Sequence, residues 1–162
     1  AAERTFQLVA QVAGRTGRGE QGGRVLVQTF SPGYAAIQAA ARHDFLAFAA
    51  AELPHRREHL YPPFGRLARV IVRSKDETAA KSHIEALANR LNELTKDIPQ
   101  TIRVLGPAPA PVTRVKNFYR YHLQLQGPAE FALEQIIRPA IAATPPTRHV
   151  EIAVDVDPLG ML

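Results

Sequence analysis

The chain has 162 residues, of which 46% are hydrophobic and 22% charged, and it contains no cysteine. That composition indicates a folded globular protein and excludes disulfides, thiolate metal sites and the roughly 20-residue apolar run of a membrane helix. Twenty basic residues against fifteen acidic ones give a net charge of +5, which favours polyanionic partners.

The first elements are short and interrupted by glycine. Apolar spacing predicts a helix over residues 5–13, and a loop follows over residues 14–23, where five of ten residues are glycine. Residues 24–29 then form an apolar run that predicts a strand. Ser31 followed by Pro32 is typical of a capped helix start, so we expect a helix from Ser31 to Ala41.

A further helix is expected from His43-Asp44 to Leu53, with Phe45 and Phe48 packing against the domain that follows. The basic run over residues 54–64 ends in Tyr61-Pro62-Pro63-Phe64, which cannot be helical. We therefore place a boundary here and expect one domain over residues 1–63 and another over 64–162. His55 and His59 lie four residues apart, but two arginines between them oppose a cation, so we expect no metal there.

The second domain shows a regular alternation of strand and helix patterns. The predicted elements are a strand over 67–74, a helix over 76–94, extended chain over 102–105, a hairpin over 111–126 turning near Asn117, a helix over 128–143 and a strand over 150–156. Proline alternates with alanine over 106–111, which favours polyproline geometry. The order β-α-β-β-α-β is the ferredoxin-like arrangement, so the expected fold class is α+β. Asp155 and Asp157 share one side of the last strand, and we expect them to be solvated or paired with arginine.

Positive charge is concentrated in the middle of the chain. Residues 64–127 carry eleven basic and five acidic residues, and no acidic residue lies between Ile98 and Ala129. A solvated basic face would give this pattern, and so would a surface that follows phosphates. The sequence leaves both readings open.

The expected hairpin mixes aromatic rings with cations. Tyr119, Arg120 and Tyr121 lie on one strand, and Arg114 and Lys116 lie on the other. A turn with an odd number of residues places Arg114 opposite Arg120, whereas an even turn pairs Arg114 with Tyr121 and Lys116 with Tyr119. Either face could bind DNA, with arginines on phosphates and tyrosines on bases, unless both tyrosines belong to the core.

Two arginines in a glycine loop suit triphosphate chemistry. Gln11 precedes Gly14-Arg15, and Gly17-Arg18 follows after one residue. Glycine permits the tight turn, and each guanidinium presents a fork that matches phosphate oxygens. An arginine at a γ-phosphate can contribute about 10³-fold or more to phosphoryl transfer.

The pattern resembles motif VI of superfamily 2 helicases, Gln-x-x-Gly-Arg-x-Gly-Arg. With Tyr61-Pro62-Pro63-Phe64, Val104-Leu105-Gly106-Pro107, Tyr119-Arg120-Tyr121 and Asp155-Val156-Asp157-Pro158 in order, the chain resembles the C-terminal part of the primosomal protein N′ (PriA) family. That resemblance implies the tail of RecA-like helicase lobe 2, carrying motif VI, followed by a ferredoxin-like domain. It also implies an ATP-dependent 3′-to-5′ DNA helicase that recognises stalled replication forks and helps assemble the primosome.

The same resemblance assigns nucleotide contacts to Gln11, Gly14, Arg15 and Arg18. Arg15 and Arg18 are the catalytic candidates, and Arg18 is the expected arginine finger. ATP and Mg²⁺ are the implied cofactors, with zinc in another part of the family's chain. DNA, single-stranded DNA-binding protein and primosome proteins are the implied partners, in a bacterial cytoplasm near the nucleoid and without a membrane.

The chain contains no Gly-x-x-x-x-Gly-Lys-Ser/Thr phosphate loop and no Asp-Glu-x-His metal motif. We therefore expect it not to hydrolyse ATP by itself. The alternative is a non-enzymatic nucleic-acid-binding or scaffold module whose glycine-arginine loop binds phosphates without nucleotide specificity.

Overall fold

The computed structural model describes residues 2–16, 23–99 and 101–158, which fall into two units divided between Arg56 and Arg57. The first unit contains the helices α1 (Ala2–Arg15), α2 (Ala35–Ala41) and most of α3 (Phe45–Glu58). No helix in the described ranges combines the length and apolar character needed to cross a membrane.

Aromatic stacking forms the core of the first unit. Phe6 of α1 lies parallel to Phe48 of α3, with 4.6 Å between ring centroids, and both rings are buried. Three small residues of α2 complete the cluster: Ala36, Ala39 and Ala40. Phe45 contacts Phe6 edge-on and stays 62% exposed. The phenylalanines that we expected to face the following domain thus pack on α1 inside the first unit.

Two local predictions in the first unit are wrong. Residues 24–29 have no strand structure, and Leu26 is almost fully exposed, because no strand in the described part of the chain lies beside them to pair. The helix predicted from Ser31 begins at Ala35 instead. The carbonyl oxygen of Ser31 accepts from the N–H of Tyr34, so Pro32 lies in a separate turn before the helix.

Helix α3 starts as predicted but ends later. The carboxylate of Asp44 accepts a hydrogen bond from the N–H of Ala47 at 2.8 Å, which caps the first turn. The helix then continues through Pro54 to Glu58, where the sequence predicted non-helical chain. Arg56 pairs with Glu52 at 3.2 Å and with Glu3 of α1 at 2.7 Å, and both ion pairs support the turn after Pro54.

The second unit is a four-stranded antiparallel sheet with two helices. Its elements are β1 (Gly65–Ser74), α4 (Glu77–Thr95), β2 (Arg103–Val115), β3 (Phe118–Pro128), α5 (Glu134–Ala143) and β4 (Val150–Val156). The strands lie in the order β2-β3-β1-β4, with neighbours antiparallel. This chain order and sheet order confirm the predicted βαββαβ arrangement. The alternating prolines after Gly106 belong to β2 and coincide with its register shifts.

One face of the sheet is buried under the helices. Asp76 caps α4 by accepting from the N–H groups of Thr78 and Ala79, and the predicted apolar stripe of α4 then packs on the sheet. The buried side chains of this core include Val70, Val72, Ile84, Leu87, Leu91, Leu123, Leu125, Ile136 and Ile137. Side chains alternate along a strand, so the strand residues that come between these core positions point to the opposite face of the sheet. We call that face the open face.

The chain between α3 and β1 is held at one end of the open face. The side-chain amide of Gln126 donates to the carbonyl oxygens of His59 and Leu60, the latter at 3.2 Å. A Cβ placed on Gly65 would lie 2.2 Å from the carbonyl oxygen of Leu60. Only glycine therefore allows this segment, which we call the strap (residues 59–64), to run so close to β1.

Gly65→Ala should destabilise the chain by about 1–3 kcal/mol, because the added methyl group overlaps a backbone oxygen that cannot move without breaking the Gln126 contacts. Urea unfolding measures the change. Gly33→Ala is the matched control, since a Cβ there has no atom within 4 Å. An equal and small effect of both substitutions would contradict the close approach of the strap.

Candidate nucleic-acid interface

The turn of the hairpin consists of two residues, Lys116 and Asn117. Lys116 and Asn117 both have positive φ, 48° and 65°, as a two-residue type I′ turn requires. Arg114 therefore lies opposite Tyr119, and Val115 lies opposite Phe118. The turn is even, so Arg114 does pair with a tyrosine, but with Tyr119 instead of Tyr121.

The expected partners are wrong by two residues because the turn includes Lys116. Irregular pairing between Pro109 and Arg114 absorbs the displaced residues of β2, and Tyr121 lies opposite Pro109. Lys116 thus occupies the turn and has no ring directly across from it.

The end of the hairpin is basic and accessible. The guanidinium carbon of Arg114 lies 5.1 Å from the ring centroid of Tyr119, and its Nη2 donates to the Asn117 side-chain oxygen at 3.4 Å. Arg114 and Lys116 are exposed and Tyr119 is half-buried. This cation–π arrangement keeps a positive charge and a ring surface side by side, which suits a phosphate and a base.

Tyr121 lies in the core. It is buried against the helices, and its hydroxyl donates to Oε1 of Glu77 at 2.9 Å. The hydrogen bond to Glu77, together with burial, raises the pKa of Tyr121. Of the five residues that the sequence proposed for DNA, the structure leaves four with side chains on the surface.

Arg120 lies on the open face. Its cross-strand partner on β1 is Arg73, and Arg73 in turn lies opposite Glu151 of β4. The guanidinium of Arg73 bonds the Glu151 carboxylate from Nε at 2.9 Å, while Arg120 donates to the carbonyl oxygen of Val112 at 3.4 Å. A row of three charged side chains therefore crosses the sheet.

His122 follows Arg120 on the same face and is half-buried. Burial is the main reason that its pKa is lowered, and the nearby charges of Arg69 and Arg120 lower it further. We therefore expect a neutral imidazole at neutral pH.

Two further ion pairs join β1 to β4 and to the residue that follows it. Arg69 contacts Asp155 at 3.5 Å, and Arg66 contacts Asp157 at 2.7 Å. The arginine pairing expected for the two aspartates is confirmed. Sequence reasoning missed Arg73 and Glu151, although Arg69 and Arg73 flank the apolar positions Val70 and Val72 with the alternation of a strand.

The residues of the predicted nucleotide site lie at the end of α1. Gln11 and Arg15 are one turn apart and exposed, and Gly14 is exposed between them. Gly17 and Arg18 lie outside the described residues. Of the motif residues that the structure describes, Gln11, Gly14 and Arg15 do not belong to the core formed around Phe6 and Phe48.

The fold and the hairpin define an α+β domain of ferredoxin-like topology with a positively charged edge. A family model described as the primosomal protein N C-terminal domain matches residues 57–159. The chain belongs to this family.

Curated relatives named replication restart protein PriA match almost the entire chain. The Synechocystis sp. protein is 36% identical over 160 residues, which is 99% of this chain and 19% of that protein. The Bacillus subtilis protein is 34% identical over 164 residues, which is 99% of this chain and 20% of that protein. The Treponema pallidum protein is 38% identical over 162 residues, covering all of this chain and 24% of that protein. The chain thus spans about a fifth to a quarter of the length of these relatives.

The lowered pKa of His122 makes stability depend on pH. The unfolded chain regains the ordinary histidine pKa of about 6.5 and binds more protons than the folded chain below it. Stability should therefore be fully present above about pH 6.5 and fall as the pH drops towards the folded-state pKa. Burial lowers the pKa of His83 as well, so both histidines contribute.

His122→Gln should reduce the loss of unfolding free energy between about pH 7.5 and pH 5, and His83→Gln/His122→Gln should reduce it further. Urea unfolding at a series of pH values measures this. His149→Gln is the control, because His149 is exposed. A pH dependence unchanged in the double variant would contradict the assignment.

Proposed function

We propose that this chain is the C-terminal part of an ATP-dependent 3′-to-5′ DNA helicase that acts at stalled replication forks, and that its second unit binds DNA. Family membership and the name shared by the relatives support the role in replication restart. The single observation that carries DNA binding is the exposed hairpin end, where Arg114 lies over Tyr119 beside Lys116. Single-stranded DNA-binding protein and primosome proteins are the chain's proposed partners, and a bacterial cytoplasm near the nucleoid is its proposed setting.

The electrostatics of the hairpin favour a polyanion. No acidic residue occurs between Ile98 and Ala129, so the charged side chains of β2 and β3 are all basic. Lysine and arginine on such a surface attract nucleic-acid phosphates irrespective of sequence, and the attraction weakens as salt rises. Tyr119 adds a ring on which a base can stack.

Gln11, Gly14, Arg15 and Arg18 are proposed for the nucleotide site of the longer protein. The exposed side chains of Gln11 and Arg15 fit this role, because neither is taken up by the core of its own unit. Mg²⁺·ATP, when bound, supplies the phosphoryl group. The arginines would balance the negative charge that develops on it, with Arg18 as the finger. The family's zinc module needs cysteines, and this chain has none, so zinc is proposed only for another part of the longer protein.

In the longer protein, Arg18→Glu should lower DNA-stimulated ATP turnover by about 10³-fold or more while leaving DNA affinity nearly unchanged, because the charge acts on the γ-phosphate.

Arg114→Glu in the longer protein should change DNA affinity instead. It should weaken DNA binding and reduce the slope of log K against log salt by about 0.7–0.9, the value of one phosphate contact. ATPase assays and fluorescence anisotropy over a salt series measure the two effects.

The reverse pattern, with Arg18→Glu weakening DNA binding and sparing turnover, would favour the non-enzymatic module. The 162-residue chain alone should show no DNA-stimulated ATP hydrolysis, since it contains no phosphate loop. If the pure chain instead hydrolyses ATP and loses this activity on Arg18→Glu substitution, that result would contradict a nucleotide site shared between this chain and the rest of the longer protein.

A further inference from the structure

Two arginines face each other across the central strands of the open face. Arg73 and Arg120 are directly paired positions of β1 and β3. Like charges in this position destabilise an antiparallel pair unless an anion lies near both. Glu151 neutralises Arg73 only, whereas the hydrogen bond of Arg120 goes to a neutral carbonyl oxygen.

The arginine pair borders a shallow depression in the sheet. Its floor includes Ile71 and Ala153, and its walls include Arg73, Arg120 and Glu151. An anion bound in this depression would contact both guanidinium groups and would lie above the side chains of Ile71 and Ala153. Arg73 and Arg120 thus form a two-arginine site, which we call the clamp. Glu151 is already ion-paired with one of these arginines, Arg73.

We propose that a backbone phosphate of a DNA strand binds between Arg73 and Arg120, and that Glu151 competes with it for Arg73. This inference rests on the proposed function, in which the second unit binds DNA. Glu151 is then an internal competitor that limits affinity, and its removal strengthens binding.

Replacing Glu151 with a phosphate as the partner of Arg73 costs little free energy. The side chains of Arg73 and Glu151 are 54% and 52% exposed, and ion pairs at such sites contribute little to stability. A phosphate between the two arginines gains two charge-assisted partners in place of one.

A basic path continues from the depression towards the end of the hairpin. The ring of Phe118 lies on the same face, with the guanidinium of Arg73 at 5.3 Å and the ammonium of Lys75 at 5.8 Å from its centroid. The next residues of the chain towards the turn are Asn117 and Lys116. A DNA strand bound between Arg73 and Arg120 can therefore pass Phe118 and reach the exposed Lys116 in the turn of the hairpin.

The test measures binding of a fluorescein-labelled oligothymidylate to the 162-residue chain by anisotropy over a salt series. Arg73→Gln should weaken binding by about three- to tenfold, because one charged phosphate contact is lost. Glu151→Gln should strengthen it by a similar factor and steepen the salt dependence, because a freed arginine displaces one more counterion. Arg73→Lys, which keeps the charge but loses the guanidinium fork, should weaken binding less than Arg73→Gln does.

Arg90→Gln and Glu93→Gln are the matched controls. These residues form an ion pair at 3.0 Å on α4 with similar exposure, and α4 packs on the opposite face of the sheet. Both controls change the net charge by the same amount as the test variants but should alter binding by less than about twofold. Circular dichroism and the urea midpoint show whether each variant is folded.

The outcomes separate this inference from the proposed function. If Arg73→Gln and Glu151→Gln behave like their controls while Arg114→Glu weakens binding, the clamp is overturned and DNA binding by the hairpin stands. If Arg114→Glu and the clamp variants all bind like the unsubstituted chain, the proposed DNA interface fails as well. If oligoglutamate binds the clamp and oligothymidylate does not, the site serves acidic peptides and the phosphate assignment is overturned.

Discussion

The register between β1 and β3 is the constraint on which the second unit depends. Val70 lies opposite Leu123 and Val72 opposite Tyr121, and this pairing builds the floor on which α4 packs. The same register places Arg73 opposite Arg120 on the other face. A slip by one residue would move the apolar side chains out of the core and the arginines into it, so burial of the core fixes the charged row.

The two ends of the open face differ in their exposure to solvent. At one end, Gln126 holds the strap, and Arg69, which pairs with Asp155, is only 8% exposed. At the other end, Phe118 is half-buried, and the turn residues Lys116 and Asn117 are exposed. The exposed cation of the turn, Lys116, therefore lies at the end of the open face away from the strap.

Much of the second unit could be predicted because its signals are local and agree with each other. Asp76 caps α4, an apolar stripe follows it, and the alternation of apolar residues marks β1. The hairpin partners could not be predicted in the same way, since the turn includes Lys116 and this moves the pairing by two residues. The strand expected over 24–29 failed because a strand requires a partner, and Pro54 was absorbed into α3 with the help of ion pairs to Arg56. The pairing of Arg73 with Arg120 needed the register itself, which no local pattern supplies.

A nuclear magnetic resonance titration of the 162-residue chain with oligothymidylate would show whether DNA binds along the hairpin and the open face. We expect amide shift changes to concentrate on β1, β3 and β4 around Arg73, Arg120 and Glu151 and to extend to Lys116, with α4 and α5 unaffected. Changes concentrated on the exposed sides of α4 and α5, with the arginine row unchanged, would contradict it.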